Sequence, residues 1–202
     1  MRIVTANEWQ QWLANGRVIE QDARGPKVIA CADGQLLKVF RPRRRLWLAR
    51  WFSHAQRFTT HAQQLSARGL CVPQVTECVW IERRHAVSAC RYVPLPGYSM
   101  EQLFQQSPDD FLALLPEFAA FIRELHQKGV YFRSLHLGNV LRLPDGHFGL
   151  IDFLDVRFRS NPLSLRLVRR NFQHLHGYLV RNKIEHFPWE ALQAHYARAG
   201  SA

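Results

Sequence analysis

Residues 129–153 read GVYFRSLHLGNVLRLPDGHFGLIDF, and the reading of this stretch decides the fold. Gly129 closes a long amphipathic segment, as glycine commonly does just past a helix. A short apolar–polar loop, YFRSLHLGN, follows and ends on Asn139. Next, VLRL and HFGLIDF flank Pro-Asp-Gly, a turn signal between two apolar runs, which predicts a hairpin. Asp152 stands at the end of that hairpin, with Phe148, Leu150 and Ile151 ahead of it. A carboxylate placed there and an amide oxygen thirteen residues earlier can share one divalent cation. Mg²⁺ takes hard oxygen ligands and completes its shell with phosphates and water. Singly, Asp152 reads as a turn residue at a strand end and Asn139 as a loop amide capping backbone. Together with Lys38 on an N-terminal strand, they read as a phosphate-and-metal site.

Outward from this stretch, the hydrophobic period divides the chain. KVIAC and QLLKVF, joined by Ala32-Asp33-Gly34, predict a strand pair within residues 27–40. Over residues 44–68, Leu48, Phe52, Ala55, Phe58, Ala62 and Leu65 recur at three- and four-residue steps, which predicts one helix ended by Gly69. QVTECVWIER and AVSACRYV predict two more strands, and PLPGY then breaks the pattern. Ser99 with Gln102 forms a capping box for a short helix. Ser107 and Pro108 open a longer one with Phe111, Leu114, Phe118, Phe121 or Ile122, and Leu125 on its core face, and Pro116 inside it as a bend. From about Leu163 onward the pattern is helical. The order is strands with one main helix, a linker, then helices around a hairpin: an α+β plan in two lobes, 1–93 and 99–202, joined by 94–98.

RSLHLGNVL followed by LIDF resembles the catalytic loop and metal-binding strand of the lipopolysaccharide-core kinases, the Kdo and heptose kinase group. That group belongs to the protein-kinase-like superfamily, whose loop reads His-x-Asp-x-His-x-x-Asn in its aminoglycoside-phosphotransferase-like branch. The resemblance covers roughly residues 27–160; the Leu-His-x-Gly-Asn and Ile-Asp-Phe pair is its specific part. It implies a protein-kinase-like fold with a small antiparallel-sheet N-lobe carrying one main helix and a mainly helical C-lobe. It further implies ATP and Mg²⁺ as cofactors, with Lys38 on the α- and β-phosphates and Asn139 and Asp152 on the metal. PLPGY becomes the interlobe hinge where adenine docks. The implied acceptor is a core sugar or related envelope glycolipid at the inner leaflet, reached by peripheral docking.

Four parts of that pattern are missing. Phe132 stands for the first loop His, and Ser134 stands for the catalytic Asp. No acidic residue lies between Asp33 and Glu77, so the following helix offers Lys38 no glutamate. Gly16 and Gly25 are the only glycines ahead of the first predicted strand, so a glycine-rich phosphate cover is absent. Serine cannot take a proton at neutral pH as a carboxylate can. Asp155, three residues beyond Asp152, is the candidate substitute base, against a plain surface-turn role. His136 reads as a brace for the loop. Two readings follow: a phosphotransferase, since positioning and charge neutralisation carry most of phosphoryl transfer, or a catalytically silent pseudokinase that binds nucleotide or a partner in envelope biogenesis.

Composition narrows the classes. Hydrophobic residues make up 47% of the 202, enough for a buried core, and no apolar run is long enough to span a bilayer. MRIVTANEWQQW lacks a signal-peptide pattern, so a cytoplasmic location is expected. Cys31, Cys71, Cys78 and Cys90 have no metal-ligand spacing and read as reduced core residues. His174 and His176 are two apart, on different helix faces, which argues against zinc. Ser134 lacks a Gly-x-Ser-x-Gly elbow, which argues against a hydrolase. Lys plus Arg total 27 against 16 acidic residues, a formal +11 that favours anionic partners. A nucleic-acid-binding module is the third class, but no helix-turn-helix, zinc or RNP-type pattern supports it, and no nucleic-acid partner is expected. In RPRRRLWLARWFSHAQRF, Trp47 and Trp51 lie one turn apart beside Arg43, Arg44 and Arg45. That suits either a membrane–water interface or packing inside the protein.

Overall fold

The computed structural model describes residues 1–42 and 46–200, a mixed α+β protein whose internal contacts divide into two compact units, Met1–Leu95 and Pro96–Ala202. The division falls inside PLPGY. Arg43, Arg44 and Arg45 lie outside the described residues.

The first unit is a six-stranded sheet in the order β1-β5-β6-β4-β3-β2. Its strands are β1 (Arg2–Ile3), β2 (Arg17–Asp22), β3 (Gly25–Ala30), β4 (Leu36–Phe40), β5 (Gln74–Glu82) and β6 (Val87–Val93). Only the β1–β5 pairing is parallel, so the sheet is mixed and not purely antiparallel as expected. The unit also carries three helices among the described residues in place of one main helix: α1 (Ala6–Asn15), α2 (Leu46–Trp51) and α3 (His54–Ser66). Helix α1 went unread although Thr5 caps it, accepting from the Glu8 N–H at 3.2 Å. The single helix expected over 44–68 is broken at Ser53, whose hydroxyl accepts from the Gln56 N–H and starts α3 anew. Ala55, Phe58, Ala62 and Leu65 are buried as the stripe predicts, whereas Phe52 is exposed.

Period-2 alternation on β4 assigns the two faces of the sheet. Leu37 and Val39 join Ile29, Val79 and Ala89 in a core covered by Trp9, Trp12 and Leu13 of α1. Lys38 and Phe40 turn the other way, toward α3, where Phe40, Phe58 and Tyr92 form a chain of tilted ring contacts.

The second unit begins with β7 (Tyr98–Ser99), α4 (Met100–Gln106) and α5 (Pro108–Gln127). The Ser99–Gln102 capping box is present with both reciprocal bonds. On α5 Phe111, Phe118 and Leu125 are wholly buried as expected, Leu115 is buried in place of the half-buried Leu114, and Phe121 and Ile122 both enter the core. The face is wider than a single heptad stripe because α7 also packs on α5. The segment expected as a plain loop holds strand β8 (Val130–Phe132), which pairs antiparallel with β11 (Val156–Phe158). Between them lie a 3-10 turn (Leu137–Asn139) and the hairpin β9 (Val140–Arg142) and β10 (Phe148–Leu150), extended by β7 alongside β9. Two helices finish the chain, α6 (Leu165–Arg181) and α7 (Trp189–Arg198). No described helix is long and apolar enough to cross a membrane.

A buried polar tether ties these elements together. Asn171 on α6 donates from Nδ2 to the Phe132 carbonyl at 2.7 Å, so its Oδ1 faces His126 on α5 as an acceptor at 3.0 Å. His126 Nε2 therefore carries the proton, and Nδ1 accepts from the Tyr196 hydroxyl of α7 at 2.7 Å. Burial pushes the His126 pKa down to about 4, consistent with that neutral ring. The tether ends on Phe132, the last residue before the loop that carries the candidate site. Gly129 is needed at the other end of β8: its φ is +69°, and a Cβ there would lie 2.4 Å from the Arg159 carbonyl.

Candidate functional site

Loop 132–139 is built from tight turns. The Leu135 N–H donates to the Phe132 carbonyl at 3.1 Å, and the Asn139 N–H donates to the His136 carbonyl at 2.9 Å. The Ile151 N–H then donates to the Asn139 carbonyl at 3.0 Å. That bond brings the residue just before Asp152 against the backbone of Asn139, thirteen positions before Asp152.

Asn139 is buried, and the loop decides which way its amide faces. Nδ2 lies 3.0 Å from the Ser134 carbonyl, which can only accept, and 3.1 Å from His136 Nε2. Both N–H groups are thereby engaged, and Oδ1 accepts from no described residue. His136 Nε2 accepts from this amide, so the ring is the neutral tautomer with its proton on Nδ1. Desolvation lowers its pKa, and Glu101, Asp152 and Asp155 only partly oppose the shift.

The His136 ring is clamped from outside the loop. Tyr178 of α6 stacks on it with centroids 4.0 Å apart and planes 6° from parallel. The Tyr178 hydroxyl donates to Glu101 Oε1 at 2.6 Å. Burial and that bond raise the Tyr178 pKa. Glu101 sits so close to the turn that a Cβ on Gly138 would come within 2.7 Å of its Oε2. His136 Nδ1 is buried without a hydrogen-bond partner among the described residues.

Asp152 lies two residues past the end of β10 with φ +50°, a left-handed conformation rare for residues other than glycine and costing about 1–2 kcal/mol. At the reversal Asp152 is exposed, between the wholly buried Leu150 two residues before it and the wholly buried Phe153 after it.

Ser134 and Asp155 meet. Ser134 Oγ donates to Asp155 Oδ2 at 2.7 Å. Asp155 Oδ1 is buried and without a partner among the described residues, so Asp155 is no plain surface carboxylate. The candidate carboxylate thus lies within hydrogen-bond distance of the serine.

Lys38 belongs to the first unit, opposite Cys90 on β6 and Val28 on β3. Its ammonium lies 5.8 Å from the centroid of the Phe58 ring on α3, within cation–π range. Where an acidic side chain would steady a strand lysine, α3 presents an aromatic face. The turn before β3 carries Ala23 and Arg24, with Arg24 donating to the Arg41 carbonyl at 2.9 Å and to Asp22 Oδ2.

Ser134, His136, Asn139, Asp152 and Asp155 are therefore gathered by one loop and one hairpin of the second unit. Sequence reasoning missed Tyr178, Glu101 and Phe58. The capping box had already placed Glu101 in the first turn of α4, but no local pattern marks a tyrosine 77 residues away as its partner.

The donor set suits a hard divalent cation. Both Asn139 N–H groups are engaged, which leaves Oδ1 as the amide's remaining polar atom, and Asp152, one residue past the Ile151–Asn139 bond, carries an exposed carboxylate. A zinc-type site has no counterpart: no group of three or more His, Cys, Asp or Glu occurs among the described residues in an arrangement able to hold a metal. Neither a family model nor a curated protein matches this chain.

Proposed function

We propose that the chain is a divergent, protein-kinase-like phosphotransferase that uses ATP and magnesium. In this reading Lys38 meets the α- and β-phosphates, Asn139 and Asp152 serve the metal, and Ser134 with Asp155 handles the acceptor proton. The observation that carries it is the Ile151–Asn139 backbone bond, which sets the Asp152 residue next to one whose amide N–H groups are both engaged by the loop. When bound, magnesium would neutralise charge on the β- and γ-phosphates, held by Asn139 Oδ1 and the Asp152 carboxylate.

The chain's own residues then supply positioning and proton transfer. Ser134 Oγ already directs its proton at Asp155 Oδ2. As the acceptor oxygen bonds to the γ-phosphorus and the bond to the β–γ bridging oxygen breaks, the acceptor's proton passes to Ser134 Oγ while the serine proton moves to Asp155. Serine relays and aspartate accepts, so the missing loop carboxylate is replaced from 21 residues downstream. His136 holds Asn139 in register, and Tyr178 with Glu101 holds His136. The acceptor class follows from the resemblance of RSLHLGNVL and LIDF to the core kinases: a sugar hydroxyl of the lipopolysaccharide core or a related envelope glycolipid, met at the cytoplasmic side of the membrane.

A second reading, a pseudokinase that holds nucleotide without turnover, draws on Phe58 at the Lys38 ammonium. Calorimetric titration with ATP, with and without magnesium, tests the site itself. Magnesium-dependent binding should weaken at least about 100-fold in Asn139→Ala/Asp152→Ala, the upper end of what groups supporting a metal's ligands contribute. Undiminished binding in that variant sinks the assignment. Single-turnover transfer to purified core oligosaccharide then separates the readings, since binding without transfer leaves the pseudokinase.

A further inference from the structure

Helix α2 is attached to the first unit by one small face. Ala49 is buried against Trp80 of β5 and Ala86 of the β5–β6 turn. Arg50 fastens it further, donating from Nε to the Arg84 carbonyl at 2.9 Å. Every large aromatic of the segment points elsewhere: Trp47 is 67% exposed, Trp51 76% and Phe52 72%. Trp47 and Trp51 are one turn apart and share a face, and Phe52 continues the turn through its N–H bond to the Leu48 carbonyl. Two more exposed apolar side chains adjoin. The Ser53 hydroxyl lies 3.1 Å from Met1 Sδ, and Ile3 pairs in register with Trp80, the residue on which α2 rests. Five large apolar residues therefore gather at one end of the unit.

The rim of this patch is basic. Arg57 on α3 and Arg83 and Arg84 in the β5–β6 turn are exposed around it, in addition to Arg50. From Gly34 to Thr76, which includes α2 and α3, the chain has no carboxylate, and Arg43, Arg44 and Arg45 immediately precede α2. The acidic group of the β5–β6 turn, Glu82, is paired with His85. A second copy of the chain would bring a basic rim against a basic rim across a two-fold contact, which charge repulsion opposes. A bilayer with anionic headgroups satisfies both parts, taking tryptophan and phenylalanine at the headgroup–acyl boundary and arginine at the phosphates.

We infer that α2, with Met1 and Ile3, is a docking surface for an anionic lipid bilayer. The patch lies within the first unit and stands whether or not the chain transfers phosphate. The full-length chain should co-sediment with vesicles of phosphatidylcholine and phosphatidylglycerol, much less with phosphatidylcholine alone, and less as salt rises. Trp47→Ser/Trp51→Ser/Phe52→Ser removes only exposed side chains, so it keeps the wild-type circular dichroism and loses at least about tenfold in partitioning, in line with the apolar area withdrawn. Arg83→Gln/Arg84→Gln loses about fivefold per charge on the anionic vesicles and nothing on the zwitterionic ones. Equal binding by wild type and the triple variant overturns the inference. So does failure of the wild type to bind either vesicle, and so does self-association abolished by the triple variant without any lipid binding.

Discussion

The Asn139 loop of the second unit and the Lys38 strand of the first are held in different ways. Around Asn139 each polar group is aimed by another: Ser134 by Asp155, Asn139 by the Ser134 carbonyl and His136, His136 by Tyr178, and Tyr178 by Glu101. Phe132, at the loop's root, hangs from Asn171 and through it from His126 and Tyr196. Around Lys38 the backbone is a regular ladder, but the side chain's neighbour on α3 is the Phe58 ring. A hydrogen-bonded cluster in a low-dielectric setting fixes orientation, because a misdirected buried polar group costs about 1–3 kcal/mol. A ring face attracts a cation with little directionality. In the proposed reading, the metal end is oriented by a chain of directional hydrogen bonds, and the lysine end includes an aromatic contact.

The contrast is tested most severely at Asp155. Asp155→Asn keeps a partner for Ser134 but removes the proton sink, so transfer should fall about 10²–10⁴-fold with nucleotide affinity unchanged. Rapid-quench measurement checks this, and an unchanged rate breaks the relay. The same geometry reverses the simplest expectation for Ser134→Asp. A carboxylate there would face Asp155 at hydrogen-bond distance, and two such groups cannot both ionise, so the substitution should raise one pKa and fail to accelerate transfer.

Acid should distinguish the loop and the strand next. His126 is neutral in the fold with its pKa pushed down to about 4, against an ordinary value of 6.5. Below 6.5 the unfolded chain binds a proton that the folded unit refuses. Stability conferred by the neutral ring is therefore intact above that pH and declines as pH falls toward about 4, by roughly 3 kcal/mol in all. Urea titrations followed between neutral and acid pH should show this loss in the wild type. His126→Gln, uncharged throughout, should lack that part of the slope; an identical pH dependence would remove the tether from the account.

A milder test sets Lys38→Met against the metal ligands. Losing a charge-assisted contact costs about 1.5–3 kcal/mol, so ATP should bind more weakly while its dependence on magnesium persists. In Asn139→Ala the magnesium dependence itself should fade. If both variants lose it equally, the loop and the strand act as one. The smallest effect is expected for Tyr178→Phe, which keeps the stacked ring and loses the bond to Glu101. Magnesium-dependent nucleotide affinity should drop about tenfold, as for other groups that orient a metal's ligand, with circular dichroism unaltered. Affinity equal to wild type would show that stacking alone holds His136.

Much of the local plan was legible because it rests on short-range chemistry. Ser99 and Gln102 cap a helix through bonds three residues apart, and β4, β5 and β6 follow from apolar runs bounded by turn residues. Asn139 and Asp152 could be paired on paper because one hairpin separates them. The readings that failed depended on competition between local signals. The stripe from Leu48 to Leu65 scores as one helix until the Ser53 side chain captures the Gln56 N–H, and α1 was overlooked because only one apolar face, Trp9, Trp12 and Leu13, marks it. Strands β8 and β11, three residues each, are too short to show alternation and exist because they pair with each other.

What the sequence determined by itself was the inventory: a basic chain rich enough in apolar residues for a core, an amide and a carboxylate one hairpin apart, and a loop with serine where its resemblance leads one to expect aspartate. Tertiary structure alone decided that Asp155 accepts from Ser134, that Tyr178 and Glu101 clamp His136, that Phe58 meets Lys38, and that Trp47 and Trp51 face outward. The reason is physical: capping, turns and periodicity act over three to eight residues, whereas the direction of a side chain depends on partners brought to it by packing from 20 to 77 positions away.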